Sequence, residues 1–201
     1  MNRYTMPRIA ALFFALSLAL AGCNSQSQPT MQEAPLAGAA IGGDFELLDK
    51  SGETVRWADF AGKYRIVYFG YAFCPDVCPQ DVAKMIRGLK LYADSEPELA
   101  AQIQPIFITI DPERDTPQVV GEFAVAFSND LIGLTGTPEQ IEQAADAFRV
   151  YYARGEENDD FYLMDHSAIT YLFGPQGEPI ATLPTDKGPQ AVADELAKWV
   201  R

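Results

Sequence analysis

The sequence predicts an α/β fold, with a central mixed β-sheet flanked by helices and an N-terminal β-hairpin ahead of it. Short apolar runs rich in β-branched and aromatic residues alternate with segments whose apolar residues recur every three to four positions. This alternation is typical of βαβ units and of a sheet covered on both faces. The chain has 201 residues, 48 % of them hydrophobic and 21 % charged, so it can form one domain with a substantial core.

The strands are predicted from apolar runs and turn residues. Residues 44–48 and 54–57 flank the turn Asp49-Lys50-Ser51-Gly52, which indicates the N-terminal hairpin. The run 64–69 is β-branched or aromatic at every position but Arg65, which predicts a central strand buried on both faces. Further strands are predicted at 106–110 and 131–134, and a second hairpin at 169–173 and 179–183.

The helices are predicted from apolar spacing and from their first residues. Val82, Met85, Ile86 and Leu89 recur at helical spacing, which predicts an amphipathic helix after the first buried strand. Proline suits the first turn of a helix because its missing N–H has no partner there. Further helices are therefore predicted over 117–127, after the capping residue Thr137, and over 188–200.

The amino terminus has the pattern of a secretory signal. Arg3 and Arg8 precede an apolar run over 9–21, which is shorter than the ~20 apolar residues that a membrane-spanning helix needs. The run closes on Leu20-Ala21-Gly22-Cys23, which resembles the bacterial lipobox, so Cys23 is predicted to carry lipid. The alternative is a plain signal peptide followed by a chance cysteine.

These features predict three regions along the chain. A lipoprotein signal peptide is expected over 1–22 and a flexible tether, rich in Ser, Gln, Pro, Ala and Gly, over 23–42. One folded domain is expected over 43–201. The predicted location is the bacterial cell envelope, where the lipid would hold the domain to a membrane facing the periplasm or another extracytoplasmic space.

The charge and the few metal-binding residues exclude several classes of function. With 28 acidic residues against 15 Lys and Arg, the net charge is -13, and nucleic acid is excluded as a partner because phosphate binding needs a basic face. One histidine and three cysteines exclude a His-rich metal cluster, a four-cysteine zinc site and a framework of several disulfides.

Two cysteines lie where a strand gives way to a helix, in Cys74-Pro75-Asp76-Val77-Cys78-Pro79. Their spacing places the side chains about one helical turn apart, close enough for a shared metal or a disulfide. A helix N-terminus also favours the thiolate. Three interpretations stay open. The first is a structural disulfide, which would stabilise the fold little because the loop is so short. The second is a thioredoxin-type redox pair, although that motif has two intervening residues, and the third is a metal site, which needs another ligand.

His166 is the only histidine, and it precedes the strand predicted at 169–173. A lone histidine is more often structural, but a βαβ fold can bring this strand edge near the cysteine-bearing helix. Two thiolates and one imidazole suit copper, whereas zinc would normally require a fourth ligand. The neighbouring Asp165 can orient the imidazole or cap a turn.

The chain resembles the Sco/SenC family of copper-binding proteins, which serve the assembly of cytochrome c oxidase. The resemblance covers about residues 43–200 and depends on several motifs in the family's order. These motifs are the cysteine segment 74–79, Asp111-Pro112-Glu113-Arg114-Asp115-Thr116-Pro117, Leu134-Thr135-Gly136 and Asp165-His166-Ser167.

The resemblance implies a thioredoxin-like fold and copper, as Cu(I) or Cu(II), bound by Cys74, Cys78 and His166. It further implies that the protein delivers copper to the binuclear centre of cytochrome c oxidase. The expected partners are the copper-bearing subunit of the oxidase or another copper chaperone. The alternative is a thiol–disulfide oxidoreductase that reduces a partner's cysteines and forms a Cys74–Cys78 disulfide when oxidised. A peroxidase on the same fold would require a cysteine in a different local motif.

Three further features accompany the motifs. Asp111 is expected near the site as a supporting residue, because it follows a predicted strand at its carboxyl end. Ala72 stands where many family members have threonine, which removes a hydroxyl near the site. The acidic segment 155–160 is interpreted as a solvated insertion, with a docking surface for a basic partner as the alternative.

Overall fold

The computed structural model describes residues 29–158 and 161–201, so the predicted signal peptide and Cys23 lie outside the described residues. The strands are β1 (Glu46–Leu48), β2 (Thr54–Arg56), β3 (Tyr64–Gly70), β4 (Ile103–Thr109), β5 (Ile132–Leu134), β6 (Tyr152–Asn158), β7 (Phe161–His166), β8 (Thr170–Phe173) and β9 (Pro179–Leu183). The helices are α1 (Val77–Ser95), α2 (Pro97–Ala100), α3 (Pro117–Val125), α4 (Pro138–Ala147) and α5 (Pro189–Trp199).

A five-stranded mixed sheet forms the centre of the fold, in the order β5-β4-β3-β8-β9. Strands β3, β4 and β5 run parallel, while β8 pairs antiparallel with both β3 and β9. All seven residues of β3 are buried, as expected for a central strand covered on both faces. The predicted mixed α/β fold is confirmed.

Helix α1 carries the second cysteine and packs closely against α5. A Cβ at Gly88 would lie 2.5 Å from atoms of Val192, so glycine permits this close approach of the two helices. Thr116 and Thr137 cap α3 and α4 by accepting hydrogen bonds from backbone amides, and each helix begins with proline, as the sequence predicts. The short helix α2 was not anticipated. No described helix is long and apolar enough to cross a membrane.

The described part of the predicted tether, residues 29–42, lies against the domain. The Leu36 amide donates to the Ile180 carbonyl over 2.9 Å, and Ala34 is buried. The Gly42 amide donates to a carbonyl at the end of α4. Apart from the short 3-10 helix Met31–Glu33, single apolar side chains pack here without regular secondary structure, and for that reason the segment shows no periodicity in the sequence. The packed region therefore begins before residue 43, unlike the expected flexible tether.

Strands β1 and β2 pair as a two-stranded sheet, and β6 and β7 form another that is separate from the central sheet. The sequence predicts an acidic insertion at 155–160 instead of a strand, because glycine and acidic residues have low strand propensity. The apolar start of β7, Phe161-Tyr162-Leu163-Met164, was not recognised as a strand. Side chains along β7 alternate between exposed and half-buried, with Tyr162, Met164 and His166 on the more buried side. His166 is the last residue of β7, whereas the sequence suggested a loop before the next strand.

Candidate metal centre

Cys74, Cys78 and His166 meet at the end of β3 where α1 begins. One ligand atom from each residue lies within 4.8 Å of the other two. The Sγ of Cys78 is 3.2 Å from Nε2 of His166, and both cysteines are free thiols. The structure thus brings together the three residues for which the sequence predicts metal binding.

The two cysteines are fixed by a tight loop and by the first turn of α1. The Cys74 amide donates to the Tyr71 carbonyl over 3.2 Å, which folds the loop back on itself. The Cys78 amide points at the Cys74 sulfur over 3.4 Å. A Cβ at Gly70 would lie 3.0 Å from the Cys78 sulfur, so glycine at the end of β3 keeps space for that sulfur. The loop and the helix therefore hold both sulfurs in one place.

The two thiols differ in acidity. A hydrogen bond from the Cys78 thiol is the largest cause that holds the pKa of Cys74 well below its usual range, and hydrogen bonds from backbone amides add to it. The same hydrogen bond, together with burial, raises the pKa of Cys78. Cys78 is 0 % exposed and Cys74 is 9 % exposed. The structure therefore holds one thiolate near the surface beside a deeper protonated thiol.

This asymmetry predicts a large difference in reactivity towards iodoacetamide in the reduced, metal-free protein. Cys74 should be alkylated at pH 5, where an ordinary thiol with a pKa near ~8.5 is almost unreactive. Cys78 should resist alkylation through neutral pH, because it is buried and protonated. Mass spectrometry of peptides after timed quenching measures both rates, and unfolded protein in urea is the control. Equal rates for the two cysteines would contradict the asymmetry.

The tautomer of His166 follows from its hydrogen bond. Nδ1 lies 3.2 Å from the Ser167 carbonyl oxygen, which can only accept, so Nδ1 carries a hydrogen. In the neutral ring Nε2 then presents its lone pair towards Cys78, as a metal ligand requires. The rings of Tyr68 and Tyr71 pack edge-on against the imidazole, with centroids 6.2 and 6.1 Å away.

The two aspartates predicted to support the site have different surroundings. Asp165 is exposed, and the Ser167 carbonyl takes the position of acceptor for the imidazole that the sequence suggested for Asp165. Asp111 is buried beside the cysteine loop, where its carboxylate accepts hydrogen bonds from Arg114 and from the Tyr162 hydroxyl. Asp111 therefore connects the loop after β4 to the β6–β7 hairpin.

Asp115 has a structural role that the sequence did not reveal. It is fully buried, and its Oδ2 accepts from the Ala72 amide over 2.8 Å and from the Thr109 hydroxyl over 2.6 Å. The hydroxyl of Thr135 donates to the Asp115 carbonyl over 2.7 Å. A carboxylate therefore anchors the loop two residues before Cys74. No spacing in the sequence connects positions 72 and 115, so only the fold shows this contact.

A cysteine pair between a strand and a helix, with an imidazole from a separate hairpin, defines a thioredoxin-like protein with a candidate metal site. The SCO1/SenC family model matches residues 33–201. The chain belongs to the SCO1/SenC family.

Comparisons with individual relatives agree with this assignment. The chain is 42 % identical over 160 residues to protein SenC of Rhodobacter capsulatus, covering 80 % of this chain and 71 % of SenC. It is 40 % identical over 162 residues to the human mitochondrial protein SCO1 homolog, covering 80 % of this chain and 53 % of that protein. The chain thus spans about half the length of the human relative, and about half that of the Arabidopsis thaliana SCO1 homolog 1.

Solved structures show the same fold. The crystal structure of Arabidopsis thaliana ScoI with copper bound is 38 % identical, with a TM-score of 0.74 over 79 % of this chain and 97 % of that one. Bradyrhizobium japonicum ScoI with copper bound is 34 % identical, with a TM-score of 0.72 over 80 % of this chain and 100 % of that one. The expected thioredoxin-like fold is confirmed.

Proposed function

We propose that this protein is a copper chaperone that binds copper through Cys74, Cys78 and His166. The observation that carries the proposal is the approach of one ligand atom from each of the three residues to within 4.8 Å of the others. Relatives of the same fold have been solved with copper bound, which supports copper as the metal.

The donor atoms match the chemistry of copper. Thiolates are soft ligands that favour Cu(I), and an imidazole suits copper in either oxidation state. Among the residues that the structure describes, the group has two thiolates and one imidazole and lacks the fourth protein ligand of a structural zinc site. Cu(I) can therefore be held chiefly by the two sulfurs, while Cu(II) requires the nitrogen as well.

The acidity of the two thiols determines how copper enters the site. Cys74 is already a thiolate at neutral pH, so it can take the metal first without losing a proton. Cys78 must release its proton to water before its sulfur can bind, because Nε2 of His166 needs its lone pair for the metal. Copper can then pass to an acceptor by exchange of one ligand at a time.

The proposed destination is the binuclear copper centre of cytochrome c oxidase. Membership in the SCO1/SenC family supports this part of the proposal, because the family serves assembly of that enzyme. The partner would be the copper-bearing subunit of the oxidase or another copper chaperone. Lipid on Cys23 would hold the domain at the membrane of a bacterial cell envelope, on the extracytoplasmic side.

Copper binding to the reduced full chain tests the proposal. The wild-type protein should bind one Cu(II) ion with a thiolate-to-metal absorption band, and one Cu(I) ion in competition with a chromophoric chelator. His166→Ala should weaken Cu(II) binding at least about tenfold and Cu(I) binding less, because the thiolates dominate the Cu(I) site. Protein oxidised to the Cys74–Cys78 disulfide is the control and should bind neither ion. Absence of the absorption band in the reduced wild-type protein would refute the proposal.

The second candidate is a thiol–disulfide oxidoreductase, which the lowered pKa of Cys74 favours. A thiolate near the surface can attack a partner's disulfide, and Cys78 can then resolve the mixed disulfide. This chemistry needs both cysteines but does not need His166 as a ligand. If His166→Ala leaves copper affinity intact while the protein still reduces a disulfide substrate, the oxidoreductase replaces the chaperone as the better assignment.

A further inference from the structure

The three candidate ligands come from two parts of the fold, and no described strand pairing joins these parts. Cys74 and Cys78 belong to the loop and helix after β3, whereas His166 ends β7 in the separate two-stranded sheet. The position of the imidazole relative to the sulfurs therefore depends on side-chain contacts between the β6–β7 hairpin and the cysteine loop.

Arg114 contacts both of these parts. On the loop side, its guanidinium carbon is 5.6 Å from the ring centroid of Tyr71 and 5.3 Å from that of Phe73, the aromatic residues that lead into the first cysteine. On the hairpin side, the same carbon is 3.5 Å from the ring centroid of Tyr162. Its Nη1 also donates to the Tyr162 carbonyl oxygen over 2.9 Å. One cation thus lies between the residues that precede Cys74 and a strand that ends at His166.

Asp111 fixes the orientation of this arginine. Its Oδ2 accepts from the Arg114 Nε at 2.5 Å, and its Oδ1 accepts from the Tyr162 hydroxyl over 2.8 Å. Asp111 is 3 % exposed and the Arg114 side chain 19 %, so water screens this ion pair weakly. The carboxylate, the guanidinium and the tyrosine therefore form a closed set of contacts across the gap between loop and hairpin.

We propose that Arg114 is a positioning residue for the metal centre, which holds the His166-bearing hairpin against the cysteine loop. This inference rests on the copper-binding function proposed above. Without the guanidinium, the two sulfurs keep their separation, because the loop and α1 hold them. The hairpin then keeps only its other contacts with the loop, such as the hydrogen bond from the Met164 amide to the Tyr71 hydroxyl, and holds the imidazole less firmly. Binding of Cu(II), which requires the nitrogen, should weaken, while binding of Cu(I) by the two thiolates should change little.

Lysine cannot replace arginine in this role. An ammonium group can keep the ion pair with Asp111, but it has no planar face to stack on Tyr162 and no fixed fork to reach its carbonyl at the same time. Arg114→Lys therefore keeps the charge and removes the bridge, which makes it the informative and mild substitution.

The experiment compares copper binding by wild-type protein and by Arg114→Lys in the reduced full chain. Arg114→Lys should raise the dissociation constant for Cu(II) about tenfold and shift the thiolate-to-Cu(II) absorption band, with a much smaller change for Cu(I). Arg87→Lys, at an exposed position of α1, is the matched control and should change neither constant. An unchanged Cu(II) constant in Arg114→Lys would overturn the inference.

A double variant separates positioning from general stabilisation. In a His166→Ala background, Arg114→Lys should have no further effect on Cu(II) affinity, because it acts through the imidazole. Equal losses with and without His166 would show that Arg114 merely stabilises the fold.

A measurement on the metal-free protein tests the role of Arg114 independently of copper binding. The chain has a single histidine, so the one set of imidazole signals in a ¹⁵N NMR spectrum belongs to His166 without further assignment. Those signals should shift or broaden in Arg114→Lys and stay in place in Arg87→Lys. If wild-type protein binds no copper, the proposed function fails; if the imidazole signals are unmoved, the inference about Arg114 fails.

Discussion

Replacing Cys78 by alanine is expected to abolish tight copper binding in both oxidation states. Structural zinc in zinc-finger peptides binds with about 10–16 kcal/mol of free energy. On that scale, the loss of one ligand in three removes roughly 4 kcal/mol, or about a thousandfold in affinity. Only one thiolate and the imidazole remain in this variant, so Cu(I) loses one of its two sulfur ligands. Competition titration with a Cu(I) chelator and the thiolate-to-Cu(II) absorption band measure the loss.

The substitution should affect binding far more than folding. Cys78 is fully buried, but alanine removes only one atom from its side chain, which costs about 1 kcal/mol of unfolding free energy. Chemical unfolding of the metal-free variant checks this control. Cys74→Ala, at the less buried sulfur, should lose copper to a similar degree. Retention of Cu(I) affinity within tenfold of wild type in either variant would show that the two sulfurs do not bind the metal together.

The sequence was sufficient to predict the central sheet and the candidate ligands. The buried strands β3 and β4 were recognisable because strands covered on both faces are apolar at nearly every position. The cysteine pair was recognisable because its spacing is local, so the helical geometry of α1 alone brings the two sulfurs close. His166 could be suggested as the third ligand because the chain has no other histidine.

The supporting contacts could not be predicted, because they join positions far apart in the chain. Arg114 reaches Tyr162 across 48 positions, and Asp115 reaches Ala72 across 43. Neither contact leaves a periodic pattern in the sequence. Strand β6 was missed for another reason: its glycine and acidic residues have low strand propensity, and it forms because it pairs with β7. Strand β7 begins with four apolar or aromatic residues, so its local pattern was available and was not recognised. Local patterns thus predicted the ligands, while the tertiary fold determines what holds them in position.

Replacing Asp115 by alanine is expected to destabilise the protein by about 3 kcal/mol and to weaken copper binding with it. The Ala72 amide and the Thr109 hydroxyl both donate to Oδ2 of Asp115, and each would lose its acceptor in a buried or half-buried place. A buried donor without a partner costs about 1–3 kcal/mol. The loop that leads into Cys74 would lose its anchor as well. Urea unfolding of the reduced, metal-free protein measures the loss.

Asp115→Asn is the matched control, and it predicts a dependence on pH with a definite sign. Asparagine keeps one acceptor oxygen for the two donors and replaces the charged group by a neutral amide, so its loss of stability should be smaller. Burial is the main cause that raises the pKa of Asp115 in the folded protein. The protonated form is therefore favoured on folding, and the stability it contributes is fully present below the unfolded pKa near ~3.9 and is lost as pH rises through the folded pKa.

The asparagine variant has no such loss, so its unfolding free energy relative to wild type should improve as the pH rises from about 4 towards neutrality. Asp115→Ala also lacks the carboxyl group and should follow the same trend with pH, but from a lower stability at every pH. Both variants lack the charge, so the difference between their free energies of unfolding measures the contribution of the hydrogen bonds. If Asp115→Ala unfolds within 1 kcal/mol of wild type, Asp115 does not anchor the loop. If the asparagine variant becomes less stable relative to wild type as pH rises, folding does not raise the pKa of Asp115.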